Sequence, residues 1–186
     1  MPPREFVLYS RSGRTDGRFT DLHGAGRLDV VFQCALMSLY RSYALRQDVI
    51  FHALLNGPPD PPKEVVVDGS RLTDAPPDER SWNALLRHVL SGRPHPGIEV
   101  RRNSLQSLVR GRGDVFVLER GGEDIRTVEL GDRPMFVIGD QVGLPKRDEE
   151  FALRHGTKVS LGGREYLAAQ CACIINYVLD LREPRS

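Results

Sequence analysis

Three glycine-rich turns in the second half of the 186-residue sequence are candidates for a ligand site. They cover Glu119 to Asp124, Gly139 to Pro145 and Leu161 to Glu165, and each follows a β-branched run that is typical of a strand. Because glycine lacks a Cβ atom, backbone N–H and C=O groups in such turns can approach a ligand closely. None of the turns has the spacing of a dinucleotide or nucleoside triphosphate motif, which argues against both ligands.

The cysteines and histidines do not indicate a redox or metal site. The three cysteines, Cys34, Cys171 and Cys173, are an odd set without Cys-x-x-Cys spacing. On one helix, Cys171 and Cys173 would point about 200° apart and could not chelate one ion together. The five histidines are scattered along the chain. We therefore expect neither a disulfide nor a metal.

Basic residues are concentrated in the first part of the chain, although the net charge is only +1. Residues 1–112 contain 16 basic and 12 acidic residues, whereas residues 113–186 contain 10 basic and 13 acidic residues. From Arg80 to Arg112 there are seven arginines and a single acidic residue, Glu99. Local basic density attracts phosphate, and the guanidinium fork suits phosphate and RNA contacts. Genome composition explains an arginine bias equally well, so this pattern leaves both explanations open.

Composition places the chain among ordinary globular proteins. Hydrophobic residues make up 40% and charged residues 27%, which excludes a disordered, collagen-like or coiled-coil chain. Apolar runs such as Val65 to Val67 and Phe136 to Ile138 fall far below the ~18 residues needed to span a membrane. The start, Met-Pro-Pro-Arg-Glu, lacks the features of a signal peptide. We expect one cytoplasmic domain over residues 1–186.

Hydrophobic periodicity predicts strands alternating with helices, which is typical of an α/β fold with buried parallel strands. Strands are predicted at Glu5 to Tyr9, Asp48 to Leu55, Glu64 to Asp68, Asp114 to Leu118, Met135 to Ile138 and Thr157 to Leu161. Helices are predicted at Leu28 to Tyr40, from near Asp78 to Gly92, at Ser104 to Val109, at Lys146 to Arg154 and after Gly163. Arg11 to Gly26 reads as a long polar loop, which in a compact domain is more often functional than idle.

Several motifs occur in an order that resembles one enzyme family. In the second half they are Phe136-Val-Ile-Gly-Asp-Gln-Val-Gly, Val159-Ser-Leu-Gly-Gly-Arg-Glu-Tyr-Leu, and Cys171 followed by Ile174-Ile-Asn-Tyr-Val-Leu-Asp180. In the first half they are Gly26-Arg-Leu-Asp29, Asp48-Val-Ile-Phe51, Gly57-Pro-Pro-Asp-Pro-Pro62, Pro77-Asp-Glu-Arg-Ser81 and Val100-Arg-Arg102. The chain resembles the SPOUT-class tRNA (pseudouridine-54) N1-methyltransferases of the TrmY type over nearly its whole length.

This resemblance implies an α/β SPOUT fold in which helices flank a mostly parallel sheet and the C-terminal part forms a trefoil knot. Residues 1–112 would form a basic, RNA-facing half, and residues 113–186 a knotted half that binds the cofactor. It further implies a homodimer that shares its active sites, binds S-adenosylmethionine without a metal, and methylates N1 of pseudouridine, most simply in the T-loop of tRNA.

Carried over position by position, the resemblance also implies site residues. The cofactor contacts would be Leu118, Gly139, Leu161, Gly162, Gly163, Arg164, Glu165, Tyr166 and Cys171. The catalytic candidates are Asp78 and Glu165, and the candidates for substrate binding are Arg27, Asp29, Arg80, Arg101 and Arg102. Asp29 is also a candidate to accept the N1 proton of pseudouridine.

Simpler roles stay open for three of these residues. Asp78 fits the N-cap of a helix, because its carboxylate can accept hydrogen bonds from free N–H groups. Glu165 fits a helix N-terminus, where the dipole favours a carboxylate. Cys171 fits the buried face of the last helix as a small apolar residue, and nothing beside it in the sequence could activate it as a nucleophile.

Two alternative functions remain from the sequence. A methyltransferase of the same fold could act on ribosomal RNA or on another tRNA position, or a dimer of this fold could bind RNA without transferring a methyl group. Intact turns at Gly139 and at Leu161 to Tyr166 favour an enzyme over a binding protein. A hydrolase of the α/β class is disfavoured because the sequence lacks a Gly-x-Ser-x-Gly motif and a matching histidine.

Overall fold

The computed structural model describes residues 3–183 and leaves residues 1–2 and 184–186 of the predicted domain outside the description. Along the described chain, helices and strands follow in the order β1 (Arg4–Ser10), α1 (Leu28–Leu39), β2 (Tyr40–Arg41), β3 (Ala44–Leu45), β4 (Val49–Leu55), β5 (Lys63–Asp68), α2 (Glu79–Leu90), β6 (Ile98–Arg101), α3 (Leu105–Val109), β7 (Val115–Asp124), β8 (Met135–Gly139), α4 (Lys146–His155), β9 (Thr157–Ser160) and α5 (Ala168–Arg182). Each predicted strand and helix is present, and all except the strand predicted at Asp114 to Leu118 keep their predicted bounds within a few residues.

Seven strands form one sheet in the order β6-β5-β4-β1-β8-β7-β9. The pairings of β1 with β4 and β8, and of β7 with β8 and β9, are parallel, whereas β5 pairs antiparallel with β4 and β6. The predicted α/β fold with a mostly parallel sheet flanked by helices is therefore confirmed. The trefoil knot that the resemblance implies stays a prediction.

One edge of this mostly parallel sheet is antiparallel, a detail that the sequence analysis did not specify. The connection from β4 to β5 spans only residues 56–62, and a parallel neighbour needs a crossover of about a dozen residues or more. A hairpin is the geometry that such a short connection allows. The edge strand β6 was missed in the sequence because four residues of the pattern Ile-Glu-Val-Arg follow a stretch rich in proline and histidine.

The first glycine-rich turn also differs from its prediction. Strand β7 does not end at Leu118 but continues to Asp124, with Leu118 and Glu123 both opposite Val159 of β9. The residues between them therefore bulge out of the ladder. A Cβ atom on Gly122 would lie 2.6 Å from the backbone N of Val159, so only glycine permits this close approach.

Alternating residues of the sheet face two hydrophobic cores. Phe6 and Leu8 of β1 belong to the core that also contains the buried residues of α1, α2 and α5. Val7 and Tyr9 of the same strand belong to the core on the other face, with residues of α3 and α4. Burial on both faces explains why the central strands are continuous apolar runs in the sequence.

The predicted start of α2 is confirmed in detail. Asp78 is the N-cap, and its carboxylate accepts hydrogen bonds from the backbone N and the Oγ of Ser81 at 2.8 and 2.7 Å. Trp82, one turn further on, is only 1% exposed and belongs to the core, as its position on the apolar face predicts. The cap fixes where the chain turns from the Pro76-Pro77 segment into the helix.

A row of buried charged groups crosses three neighbouring strands. His52 of β4 contacts Glu5 of β1 through Nε2 at 2.9 Å and Glu64 of β5 through Nδ1 at 2.6 Å, and all three residues are buried. Burial alone would raise the pKa values of the two carboxyls. The hydrogen bonds and charge of His52, helped by Arg112 on Glu5 and Arg101 on Glu64, instead lower both pKa values to about 2. Burial opposes protonation of His52, yet the two carboxylates raise its pKa.

These shifts predict that stability is highest in mildly acidic solution. The carboxyls stabilise the fold above their unfolded pKa of about 4.5, and this contribution is lost as the pH falls from about 4.5 towards 2. The raised pKa of His52 has the opposite effect on the pH dependence. The stability that protonated His52 contributes is complete below about pH 6.5 and is lost as the pH rises through the pKa of His52 in the folded protein. Urea unfolding between pH 3 and pH 9 measures this dependence. A stability that stays flat between pH 5 and pH 3 would contradict it.

Candidate functional site

A cavity of about 540 Å³ lies at the carboxyl ends of the parallel strands β8 and β9, beside the bulge of β7. This end of a parallel sheet is where α/β proteins commonly bind ligands. Residues of α1, of all three glycine-rich turns and of the start of α5 line it: Arg27, Val30, Gln33, Leu118 to Arg120, Ile138 to Leu144, Val159 to Gly162, Arg164 to Ala169 and Cys171. The fold thus brings together turns that are up to about 40 residues apart in the sequence.

The turn after β8 is held in a fixed shape. The Asp140 carboxylate accepts hydrogen bonds from the backbone N of Arg11 at 2.8 Å and of Val142 at 2.9 Å. The Arg11 guanidinium donates to the carbonyl of Gly143 at 2.7 Å. A Cβ atom on Gly139 would lie 2.8 Å from Gly143 Cα and from the backbone N of Leu144. Glycine at 139 is therefore required for the turn to fold back over the end of its strand.

The segment from Leu161 to Leu167 borders the cavity between β9 and α5. Gly162 has a φ of 111°, which side chains rarely adopt, and residues 162–167 are exposed. The chain enters α5 at Leu167, whose backbone N donates to the Gln170 side chain at 2.9 Å. Leu118 and Leu161 pack against the core at the edge of the cavity and offer apolar surface to a flat ring.

Cys171 lies in the cavity wall but is not activated. It is 9% exposed, and burial raises the pKa of its thiol to about 11. Burial also raises the pKa of the neighbouring Cys34 thiol. A protonated thiol is a poor nucleophile, so the geometry agrees with a packing role for Cys171.

Arg27 and Asp29 form a fixed pair at the mouth of the cavity. Arg27 has a φ of 65°, an uncommon conformation for a residue with a side chain, and it directly precedes α1. Its Nε and Nη2 donate to the two carboxylate oxygens of Asp29 at 2.9 and 3.0 Å. Burial opposes the charge on Asp29, but the Arg27 hydrogen bonds lower its pKa. Backbone strain of this kind is often found at functional sites.

Most of the predicted cofactor contacts line this one cavity: Leu118, Gly139, Leu161, Gly162, Arg164, Glu165, Tyr166 and Cys171. Gly163 is not among the lining residues, although it lies in the same exposed segment. Of the predicted substrate residues, Arg27 lines the cavity, and Asp29 accepts hydrogen bonds from Arg27.

The other predicted site residues lie elsewhere in the chain. Asp78 and Arg80 are at the start of α2. Arg101 donates through Nε to the buried Glu64 at 2.7 Å, and Arg102 pairs with Asp60 and donates to the carbonyl of Pro61. None of these four residues lines the cavity, and their roles stay predictions.

Some lining residues were not assigned individually from the sequence. Asp140 to Leu144 belong to a turn that the glycine pattern did indicate, although only Gly139 was carried over. Gln33 is a polar residue on the first predicted helix and gives no signal in the sequence. Glu119 lies in the bulge of β7, and both burial and the nearby Glu149 carboxylate raise its pKa.

Among residues 3–183, no cluster of three or more His, Cys, Asp or Glu side chains could hold a metal ion. No described helix is long and apolar enough to cross a membrane.

Comparison with known proteins identifies the family. Residues 3–183 match the family described as "Putative SAM-dependent RNA methyltransferase". The chain belongs to this family of methyltransferases.

Two similar curated proteins carry a more specific name, tRNA (pseudouridine(54)-N(1))-methyltransferase. The protein of Methanopyrus kandleri is 36% identical over 97% of this chain and 94% of its own length, and that of Methanocella arvoryzae is 36% identical over 96% of this chain and its full length. The resemblance found in the sequence is thereby confirmed. Among solved structures, Archaeoglobus fulgidus Nep1 bound to S-adenosylhomocysteine has a TM-score of 0.67 and 18% identity, and the match covers 97% of this chain and 100% of that one, which supports the fold.

Proposed function

We propose that this protein transfers the methyl group of S-adenosylmethionine to N1 of a pseudouridine in RNA, with position 54 of tRNA as the target. The observation that carries the proposal is the convergence of the three glycine-rich turns on one cavity in a chain whose relatives bear that name. A tRNA substrate also agrees with the cytoplasmic location expected from the sequence.

The residues around the cavity fit the proposed cofactor. Adenine has apolar faces and a polar edge, and Leu118 and Leu161 offer apolar contact while the backbone of the turns offers hydrogen bonds. Gly139 and Gly162 leave the backbone accessible where a Cβ atom would crowd the turn or require a strained φ. When bound, S-adenosylmethionine supplies a methyl group activated by a positively charged sulfur.

Methyl transfer would form the N1–CH₃ bond while the S–CH₃ bond of the donor breaks and S-adenosylhomocysteine leaves, and N1 of pseudouridine would lose its proton. Glu165 lines the cavity with an exposed carboxylate, and we assign it as the proton acceptor. Both oxygens of Asp29 are used by Arg27, so Asp29 acts as a positioning residue for that guanidinium. Arg27 can then hold a base carbonyl or a phosphate of the substrate. Asp78 is engaged in capping α2, and a role in the reaction is left as a prediction.

The decisive experiment is an assay of methyl transfer to defined tRNA. The purified protein is incubated with S-adenosylmethionine and a tRNA that carries pseudouridine at position 54, and the nucleosides are analysed by mass spectrometry. N1-methylpseudouridine is expected, and the same tRNA with uridine at position 54 should remain unmethylated. A methyl group at another position or in ribosomal RNA would favour the alternative function, a methyltransferase of the same fold that acts on a different RNA target. Absence of cofactor binding in calorimetry at millimolar S-adenosylmethionine would favour an RNA-binding protein without catalysis.

We further propose that the protein is a homodimer, as the resemblance implies. Its two copies would associate through α5, which belongs to the predicted knotted half that binds the cofactor. Tyr177 and Leu181 are four residues apart on one stripe of α5, and each is 63% exposed. Tyr166 and Leu167, just before α5, are also exposed, and both line the cavity. A second copy on this stripe would therefore cover apolar surface and close the open side of the site.

If two copies associate through α5, charged residues placed in this contact should halve the mass of the protein in solution. Tyr177→Glu and Leu181→Glu, placed together, are expected to convert a species of twice 20.9 kDa to one of 20.9 kDa in size-exclusion chromatography with light scattering. Two like charges would face each other across the proposed contact without compensation. The control Arg154→Glu changes an exposed residue of α4 and should leave the mass unchanged. A wild-type protein that is already monomeric at micromolar concentration would contradict the proposal.

A further inference from the structure

The arginine-rich stretch separates into residues with a partner and residues without one. Within residues 3–183, four of its arginines are engaged: Arg101 with Glu64, Arg102 with Asp60, Arg112 with Glu5, and Arg110 over the ring of Phe151 at 5.8 Å. Arg80, Arg87 and Arg93 have no described carboxylate within 4.0 Å, and all three are exposed. Arg110 also lacks a carboxylate partner, so three of the four arginines of this stretch whose charge is not neutralised lie on and just beyond α2.

These three arginines follow one side of α2. Arg80 and Arg87 are seven residues apart, which is close to two helical turns and about 10 Å along the same face. Arg93 follows the end of α2, where Gly92 with a φ of 85° turns the chain. Arg87 and Arg93, with His88, line a second cavity of about 330 Å³, and no acidic residue is among its lining residues.

The long polar loop packs against this face of α2. A Cβ atom on Gly17 would lie 2.3 Å from both the Arg87 carbonyl oxygen and Ser91 Oγ, so glycine is needed for the contact. Asn83 of α2 donates to the carbonyl of Thr20 at 3.0 Å. Arg18 is exposed beside this contact. We call the surface formed by Gly17, Arg18, Arg80, Arg87, His88 and Arg93 the α2 seam.

The same loop joins the α2 seam to the cofactor cavity. At its start, Arg11 bonds to the turn after β8 through Asp140 and Gly143. At its end, the chain passes from Gly26 into Arg27, which lines the cofactor cavity. A long substrate bound at the cofactor cavity could therefore continue along the loop to the α2 seam.

Stabilisation of α2 explains only part of the positive charge on the α2 seam. Arg87 and His88 lie in the last turn of α2, where the dipole favours cations. The carbonyl of Arg87, however, already accepts a hydrogen bond from Ser91 Oγ at 2.7 Å, and Arg93 lies outside the helix. Three guanidiniums without carboxylate partners, two of them beside a cavity with no acidic lining residue, are suited to phosphate groups.

We propose that the α2 seam binds the sugar–phosphate backbone of the RNA substrate, away from the reacting nucleotide. This inference rests on the proposed function, because it assumes an RNA substrate at the cofactor cavity. Contacts of this kind fix position without reading sequence. The α2 seam should therefore strengthen binding of the substrate without taking part in methyl transfer.

The test compares the salt dependence of tRNA binding in three proteins by fluorescence anisotropy. These are the wild type, Arg87→Ala/Arg93→Ala, and the charge-matched control Arg126→Ala/Arg154→Ala, whose arginines pair with Asp124 and stack on Phe151. Loss of two phosphate contacts should reduce the slope of log affinity against log salt by about 2. Between 50 and 200 mM salt, the wild type should then lose about 12-fold more affinity than the double variant. The control should keep the wild-type slope.

Two further measurements complete the test. Gly17→Ala should separate the loop from α2 and weaken tRNA binding without removing any charge. Cofactor affinity, measured by calorimetry, should be unchanged in both double variants and shows that each is folded. A double variant with the wild-type slope, or one that matches the control, would overturn the proposal. The proposed function fails independently if the wild type binds tRNA with the expected salt dependence but forms no N1-methylpseudouridine.

Discussion

Replacing Glu64 with alanine is expected to lower the free energy of unfolding by about 3–5 kcal/mol. The residue is 0% exposed, and its carboxylate contacts His52 at 2.6 Å, Arg101 at 2.7 Å and Asn103 at 2.8 Å. Removal of one member of a buried charged network leaves the others desolvated and without their partner. Equilibrium unfolding in urea at pH 7 measures the loss.

Asp124→Ala is the matched control for this prediction. Asp124 also pairs with an arginine, Arg126, but the arginine is 73% exposed and water screens the pair, so the cost should be much smaller than that of Glu64→Ala. A similar small loss for Glu64→Ala would show that the buried row contributes no more than a surface ion pair. A large loss would place the row among the main determinants of the sheet, because it joins β1, β4 and β5 where the parallel and antiparallel parts meet.

This buried row illustrates what the sequence could not show. Glu5 and Glu64 occupy positions in apolar strands where a charged residue suggests exposure, and His52 is one of five scattered histidines. Their contact depends on the order of the strands in the sheet, which pairs β1 with β4 and β4 with β5. Hydrophobic periodicity predicts each strand alone, but it carries no information on which strands become neighbours.

The cofactor cavity was easier to predict from the sequence than the buried row. Its walls are turns rich in glycine that follow buried strands, and both signals are local in the sequence. The order of the motifs then supplied the family and most of the lining residues. Gln33 and Val30 could not be found in this way, because they reach the cavity from α1 only after α1 packs beside the sheet.

The arginines show the limit of counting charge along the chain. Seven arginines from 80 to 112 indicated an RNA-facing surface, and Arg101 and Arg102 were selected because they lie in a family motif. In the folded chain both are paired with carboxylates, whereas Arg87 and Arg93 are not. Pairing depends on tertiary neighbours such as Glu64, so only the structure separates structural arginines from available ones.

Glu165→Gln is expected to reduce kcat by about 100- to 10,000-fold if Glu165 accepts the N1 proton of pseudouridine. Glutamine retains the size of the side chain and its place in the cavity wall, but its amide cannot take up the proton. Binding of S-adenosylmethionine and of tRNA should change little, because neither depends on that proton. Single-turnover methylation, together with calorimetry for the cofactor, separates the chemical step from binding.

The dependence on pH distinguishes a catalytic Glu165 from one that only stabilises α5. Without the carboxylate, the proton must leave to hydroxide or water, so the rate of the Glu165→Gln variant should rise about tenfold per pH unit below the pKa of N1. Glu150→Gln changes an exposed glutamate of α4 that does not line the cavity, and its rate should follow the wild type. If Glu165→Gln also follows the wild type while its melting temperature falls, the residue serves the helix dipole and the proton acceptor must be sought at Asp29 or Asp78.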